Sequence, residues 1–174
     1  YGVETHLDWE TLRQDILTYG VANSMFNAQM PTATSAQMHS STESYETLTN
    51  NIYVRRLKIG EVTVINRFLV RAFEKLGIWG ESLSDDLILA GGSVQDLNIY
   101  DYLDIPTKEQ KAKFERIQSI FKTTWEVSQK TRTNICIAMQ PFIDQAISMN
   151  VFYKAPTISG WSSALFYAWR NNLK

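Results

Sequence analysis

The sequence predicts an α/β fold, and three observations carry that expectation. Short runs rich in Ile, Val and Tyr alternate with stretches of helical period. Gly20, Gly77 and Gly91-Gly92 stand where the helical patterns stop. Hydrophobic residues make up 44% of the 174 residues and aromatics 12%, with five Trp, which suits a packed interior better than disorder.

Asp8 is placed to cap a first helix, whose Trp9, Leu12, Ile16 and Leu17 recur at helical spacing up to Tyr19-Gly20. Residues 23–29, short and mixed in polarity, read as a strand running into Met30-Pro31, after which small residues open a new helix. Two β segments, Ile52-Tyr53-Val54-Arg55-Arg56-Leu57 and Val62-Thr63-Val64-Ile65, flank a turn around Ile59-Gly60. Residues 67–76 and 83–90 follow as helices. Residues 100–106, acidic and aromatic, read as a surface loop. Thr107 then caps one long helical region in which Phe114, Ile117, Phe121, Trp125, Ser128, Ile135 and Ala138 lie near one stripe, and Pro141 ends or kinks it. Residues 145–153 read as a strand. A final helix carries Trp161, Ala164, Leu165, Ala168 and Trp169 on one face.

Composition excludes some classes of function. The formal net charge is −1, so no global basic field marks a nucleic-acid binder. No apolar run approaches membrane-spanning length, so a membrane partner is not expected. A single cysteine, Cys136, cannot form an internal disulfide, and a cytoplasmic setting is expected. Because the chain opens on Tyr1 and closes on a helical pattern, both ends read as cuts within something longer, and residues 1–174 as one segment of a larger domain.

Met30-Pro31-Thr32-Ala33-Thr34-Ser35-Ala36-Gln37 carries the chemistry. A helix N-terminus leaves up to four N–H groups without intrahelical partners and bears partial positive charge. Thr32, Thr34 and Ser35 add hydroxyl donors, while Ala33 and Ala36 leave room for a diphosphate to approach. Such a site holds an anion without a lysine. The plain alternative is a capping box, Thr34-x-x-Gln37, that only starts a helix.

This octapeptide resembles the strand-to-helix phosphate loop of class I ribonucleotide reductase large subunits. The likeness continues in order through Asp8-Trp9, Tyr19-Gly20-Val21, Asn51-Ile52-Tyr53 with Arg55-Arg56, Gly92-Ser93-Val94-Gln95, Trp125 to Thr131, Phe142-Ile143-Asp144-Gln145, Ser148 with Asn150, and Phe166-Tyr167-Ala168-Trp169. The resemblance implies a fragment of the family's ten-stranded α/β barrel, with strand edges that are aggregation-prone unless covered. It implies that Thr34 and Ser35 hold the diphosphate of a ribonucleoside diphosphate by their hydroxyls, with Thr32 and Ala33 shaping the turn and offering backbone groups. No catalytic residue and no metal ligand is expected in this segment. The intact enzyme would need a metal-containing, radical-generating small subunit and a dithiol reductant. It would also form a large-subunit oligomer. The helix from Trp161 to Leu173 would help form the groove for the small subunit's tail, or simply pack on a neighbouring barrel helix.

Several residues attract attention without matching that chemistry. Cys136 falls where the family has no catalytic cysteine, and a buried, inert thiol is expected. Tyr167 matches a packing position in the helix before the family's radical-transfer tyrosine pair. His6 and His39 lack metal-ligand spacing. Asp85-Asp86 reads as a helix start, and Asp101 with Asp104 as a solvated loop. Arg55 and Arg56 point to opposite faces of a β segment, with a surface salt bridge expected for either. Ser41-Thr42-Glu43-Ser44 and then Glu46-Thr47 depart from the family's Asn-Asn-Glu-Ser and Glu-Pro, which loosens the loop after the phosphate helix. An enzyme segment and a non-catalytic homologue acting as an interaction module are the two functions left open.

Overall fold

The structure, a computed structural model, describes residues 6–174; residues 1–5 of the expected segment lie outside the described residues. Seven α-helices and one antiparallel hairpin are described. Helix α1 spans Trp9–Tyr19, α2 Ala33–Met38, α3 Arg67–Leu76, α4 Glu81–Leu89, α5 Lys108–Ile120, α6 Gln129–Met139 and α7 Ile158–Arg170. Strands β1 (Ile52–Leu57) and β2 (Gly60–Ile65) pair with Ile52 opposite Ile65 and Leu57 opposite Gly60, closing over a two-residue turn.

Local chemistry starts most of these helices. Asp8 accepts the Thr11 N–H at 3.0 Å to cap α1. Asn66 accepts from Phe68 and Leu69 at the head of α3, and Gly77, at φ 81°, ends it in the left-handed conformation. Thr107 and Gln110 exchange reciprocal bonds of 3.2 and 2.9 Å, a full capping box for α5. Ser128 and Thr157 cap α6 and α7 by accepting the Thr131 and Gly160 N–H groups, both at 3.1 Å.

The core belongs to the middle of the chain. Ile52, Leu69, Phe73, Leu76, Ile78, Leu83, Leu87, Val94, Leu97, Ile99, Phe114 and Ile117 form one buried cluster, with the Phe73 and Phe114 rings 6.1 Å apart. Each such side chain contributes roughly 1.5–3 kcal/mol by leaving water. Through Ile52 and Ile65 the hairpin anchors its base in that cluster, while its tip is exposed. A buried Asn51 binds the pieces together: its amide donates to Gly92 O and Phe121 O, both at 2.9 Å, and its oxygen accepts from Asn66. Gly92 permits this approach. At φ 81°, a Cβ there would stand 2.8 Å from the Asn51 nitrogen and 2.9 Å from the Asn50 Cβ.

Several expectations are not met among the described residues. Residues 121–128 interrupt the helix expected to run on from Thr107: Glu126 turns back to accept the Thr123 N–H at 2.7 Å, and Ser128 starts α6 afresh. The 100–106 stretch is not wholly a surface loop. Its Tyr102 packs half-buried on the core and donates to Asp86 at 2.8 Å, and Pro106 is buried. Residues 23–29 and 145–153 form no ladder, and the ten-stranded barrel is not seen among the described residues, whose only sheet is the hairpin. The first of these segments spends the N–H groups of Phe26 and Asn27 on the Asp144 carboxylate instead of a neighbouring strand.

The outer helices differ from the core. Neither α1 nor α7 buries a residue. In α7 the small residues Gly160, Ser163 and Ala164, with Tyr167, turn toward α6 across a cavity of about 370 Å³. Trp161, Leu165, Phe166 and Trp169 face solvent, so the expected burial of the apolar face on a neighbouring helix is not met within these residues.

Candidate functional site

The loop around Thr32 is shaped by its backbone. Thr32 sits in the left-handed conformation (φ 58°, ψ 24°), and its carbonyl accepts the Ala36 N–H at 2.8 Å as the first bond of α2. The N–H groups of Ala33, Thr34 and Ser35 therefore have no intrahelical acceptor. Thr32 turns its hydroxyl inward, where Oγ1 accepts the Ser44 N–H at 3.3 Å. Thr34 and Ser35 are exposed. Their side chains face water, not a packed interior.

The capping-box alternative fails in this geometry. The cap residue is Thr32, not Thr34, and it makes no side-chain cap bond. Gln37, which a box would turn back on the N-cap, instead accepts from Arg55 Nη1. Arg55 and Arg56 do lie on opposite faces of β1. Arg56 makes the expected surface salt bridge, to Glu61 at 2.7 Å, while Arg55 reaches α2.

Beside the far end of α2 lies a cavity of about 480 Å³, with Gln37, Ser40, Glu46, Arg55 and Asn150 among its lining residues. Thr32, Ala33, Thr34 and Ser35 are not among them. Ala33, Thr34 and Ser35 thus form one exposed patch beside the half-buried Thr32, and the cavity is a separate feature.

Long-range contacts fix the chain on either side of the loop. Upstream, Asp144 Oδ2 accepts the Phe26 and Asn27 N–H groups at 2.6 and 2.9 Å. Those two donors, aided by Lys174, hold the Asp144 carboxyl below the usual range. Downstream, Ser44 Oγ donates to Ser148 O at 3.0 Å, and Glu46 takes two bonds of 2.9 Å from the Asn150 backbone and side chain. Sequence reasoning missed these contacts, because nothing in local spacing joins positions more than 100 residues apart.

Arg132 was missed as well. Its neighbours Thr131 and Thr133 make it look solvated, yet it is only 2% exposed. The guanidinium donates to Thr124 O at 2.7 Å, Thr124 Oγ1 at 3.0 Å, Val127 O at 3.1 Å, Gln129 Oε1 at 2.8 Å and Phe152 O at 3.3 Å. Burial of the charge lowers its pKa. Its hydrogen-bond acceptors among the described residues are neutral, and the Glu46 carboxylate favours the charge without bonding it.

Cys136 is buried in α6 with Sγ 3.6 Å from Met149 Sδ, and burial pushes its thiol up, away from the reactive thiolate. Tyr167 donates to Asn134 at 2.7 Å and lies under Lys130, a packing role. No group of three or more His, Cys, Asp or Glu among the described residues could hold a metal ion. No helix among them is long and apolar enough to cross a membrane.

A family profile described as ribonucleotide reductase, barrel domain, matches residues 2–174. The chain is 40% identical over 167 residues to the ribonucleoside-diphosphate reductase large chain 2 of Saccharomyces cerevisiae, covering 96% of this chain and 18% of that protein. It is 38% identical over the same length to the large subunit of Acanthamoeba polyphaga mimivirus, again 96% and 18%. To the monkeypox virus large subunit it is 36% identical, covering 96% of this chain and 20% of the relative. The chain spans about a fifth of the length of these curated relatives. With a profile match over nearly every residue and identities of this order along the same stretch, the chain belongs to the ribonucleotide reductase barrel-domain family.

Proposed function

We propose that this chain is the substrate-phosphate segment of a ribonucleoside-diphosphate reductase large subunit. Thr34 and Ser35 bind the diphosphate by their hydroxyls, the N–H groups of Ala33, Thr34 and Ser35 add backbone donors, and Thr32 sets the turn. In the reaction the 2′-hydroxyl of the ribose leaves as water, hydrogen takes its place, and a dithiol is oxidised to a disulfide. The intact enzyme takes its radical from a metal-containing small subunit. These 174 residues supply neither the radical cysteine nor the reductant pair, and the buried Cys136 does not substitute for them.

The observation that carries this reading is a turn that leaves the Thr34 and Ser35 side chains exposed and three N–H groups without an intrahelical acceptor, in a chain that belongs to the reductase family. Residues 23–29 and 145–153 are read as strands of the intact ten-stranded barrel, which would gain their ladders from neighbours elsewhere in the subunit. The open Trp161, Leu165 and Trp169 face of α7 suits a partner peptide, here the tail of the small subunit, and the large subunits are taken to associate with one another.

The test is calorimetric titration of the full-length large subunit with cytidine diphosphate. Saturable binding is expected, weakened about 100-fold or more in a Thr34→Val/Ser35→Ala variant, since each lost hydrogen bond to a charged group is worth roughly 1.5–3 kcal/mol. The second reading, a non-catalytic homologue used as an interaction module, rests on the exposed α7 face. It predicts no nucleotide binding in the full-length protein.

A further inference from the structure

We propose that residues 144–150 are a positioning strut for the phosphate loop, with Asp144 holding the chain before the loop and Asn150 holding the chain after it. The inference rests on the phosphate-binding reading above and assigns roles to residues outside the loop.

Both tethers leave one short segment and reach opposite flanks of Thr32–Ser35. On the upstream flank the contact is doubled. Asp144 Oδ2 takes the Phe26 and Asn27 N–H groups, and Asn27 O in return accepts from the Asp144 and Gln145 backbones at 3.2 and 3.3 Å. On the downstream flank Ser148 O accepts the Ser44 hydroxyl, and Asn150 donates from both backbone and side chain to Glu46. Ser44 passes the restraint on directly, because its N–H donates to Thr32 Oγ1. From Ser148 through Ser44 to Thr32 is thus a run of two hydrogen bonds, and Asn150 holds Glu46 two residues beyond Ser44.

Local preference does not hold the loop in this form. Thr32, Ser40 and Ser44 all adopt positive φ (58°, 53° and 47°), which side chains with a Cβ seldom adopt unaided. The strut is itself held. Buried Gln140 donates to Ile143 O at 2.9 Å and to Gln145 O at 3.1 Å, and Arg132 and Gln129 grip Phe152 just beyond Asn150. Held this way, the loop's donors occupy fixed positions before any phosphate arrives, which reduces the ordering cost of binding.

The test uses the full-length large subunit, titrated with pyrophosphate and with cytidine diphosphate and assayed with its small subunit and a dithiol. Asp144→Ala and Asn150→Ala are each expected to raise Kd for both ligands, and KM, about tenfold with kcat within about twofold, the pattern of lost uniform binding. Leu83→Ala, in the core and away from the strut, lowers Tm and leaves KM unchanged. If either alanine variant does not fold, Asp144→Asn and Glu46→Gln decide by the same measurement: a rise of about threefold supports the strut and no change overturns it. Unchanged Kd and KM in folded alanine variants, with Thr34→Val/Ser35→Ala still impaired, would overturn the strut alone. If the loop double variant itself binds normally, the phosphate-binding reading fails and takes the strut with it.

Discussion

The middle of the chain and the ground around the proposed phosphate loop are built by different forces. Between Ile52 and Ile117, twelve buried side chains from the hairpin, α3, α4, α5 and the turns between them make one core. Around the loop the long-range contacts are polar: a carboxylate on two backbone amides, a serine on a carbonyl, an asparagine on a glutamate. Apolar burial is non-directional and fixes compactness, whereas hydrogen bonds fix position and are worth less each. The first region is therefore expected to set the stability of the chain, and the second to set the geometry of binding.

The sharpest way to break that contrast is at Phe73, which is fully buried and packs on Phe114. Phe73→Ala should cost about 3–5 kcal/mol by lost transfer energy and the cavity left behind. Urea denaturation of the subunit measures it, and a loss below about 1 kcal/mol would mean that the core is not cooperative with the rest.

Arg132 tests the border between the two regions, since it is as buried as the core and as polar as the strut. Arg132→Met should cost about 3 kcal/mol, because the Thr124, Val127 and Gln129 acceptors are stranded while a desolvated charge is relieved. An equal or greater stability in the methionine variant would make the guanidinium dispensable. A Kd for pyrophosphate that rises with the loss would link it to the strut.

The smallest effect is one of pH. Asp144 has a depressed pKa in the folded chain, so its stabilising contribution is complete above the ordinary carboxylate value of about 3.9. That contribution is lost as pH falls through the lower, folded value. The amide resonances of Phe26 and Asn27 should move with a midpoint below 3.9, and Asp144→Asn should abolish the transition. A midpoint above that value would show the carboxylate unbound.

Much of the core region was legible in the sequence because its signals are local. Gly77 after α3 and Thr107 before α5 mark boundaries at the residues where they act. The helix expected to run unbroken from Thr107 was misread at residues 121–128, where Thr123, Thr124 and Glu126 form a turn whose purpose, to face Arg132, is visible only in three dimensions. Residues 23–29 and 145–153 were read as strands from their composition, but a ladder needs a neighbour, and here residues 26–27 meet residues 144–145 through the Asp144 carboxylate and the Asn27 carbonyl. The segment around Thr32 was singled out through likeness to a family's phosphate loop. Its side-chain types alone pointed first to a plain helix cap at Thr34, but Thr32 is the cap and Gln37 is engaged by Arg55.

Gly92 has one further consequence. Because the backbones of residues 50–51 and 92 meet where only a hydrogen atom fits, the hairpin and the turn after α4 have no slack between them. A displacement of the hairpin's base is then not absorbed at that junction; it is handed to α3 through Asn66 and to the end of α5 through Phe121. The hairpin, whose Arg55 grips α2, moves with the helical core as a single lever.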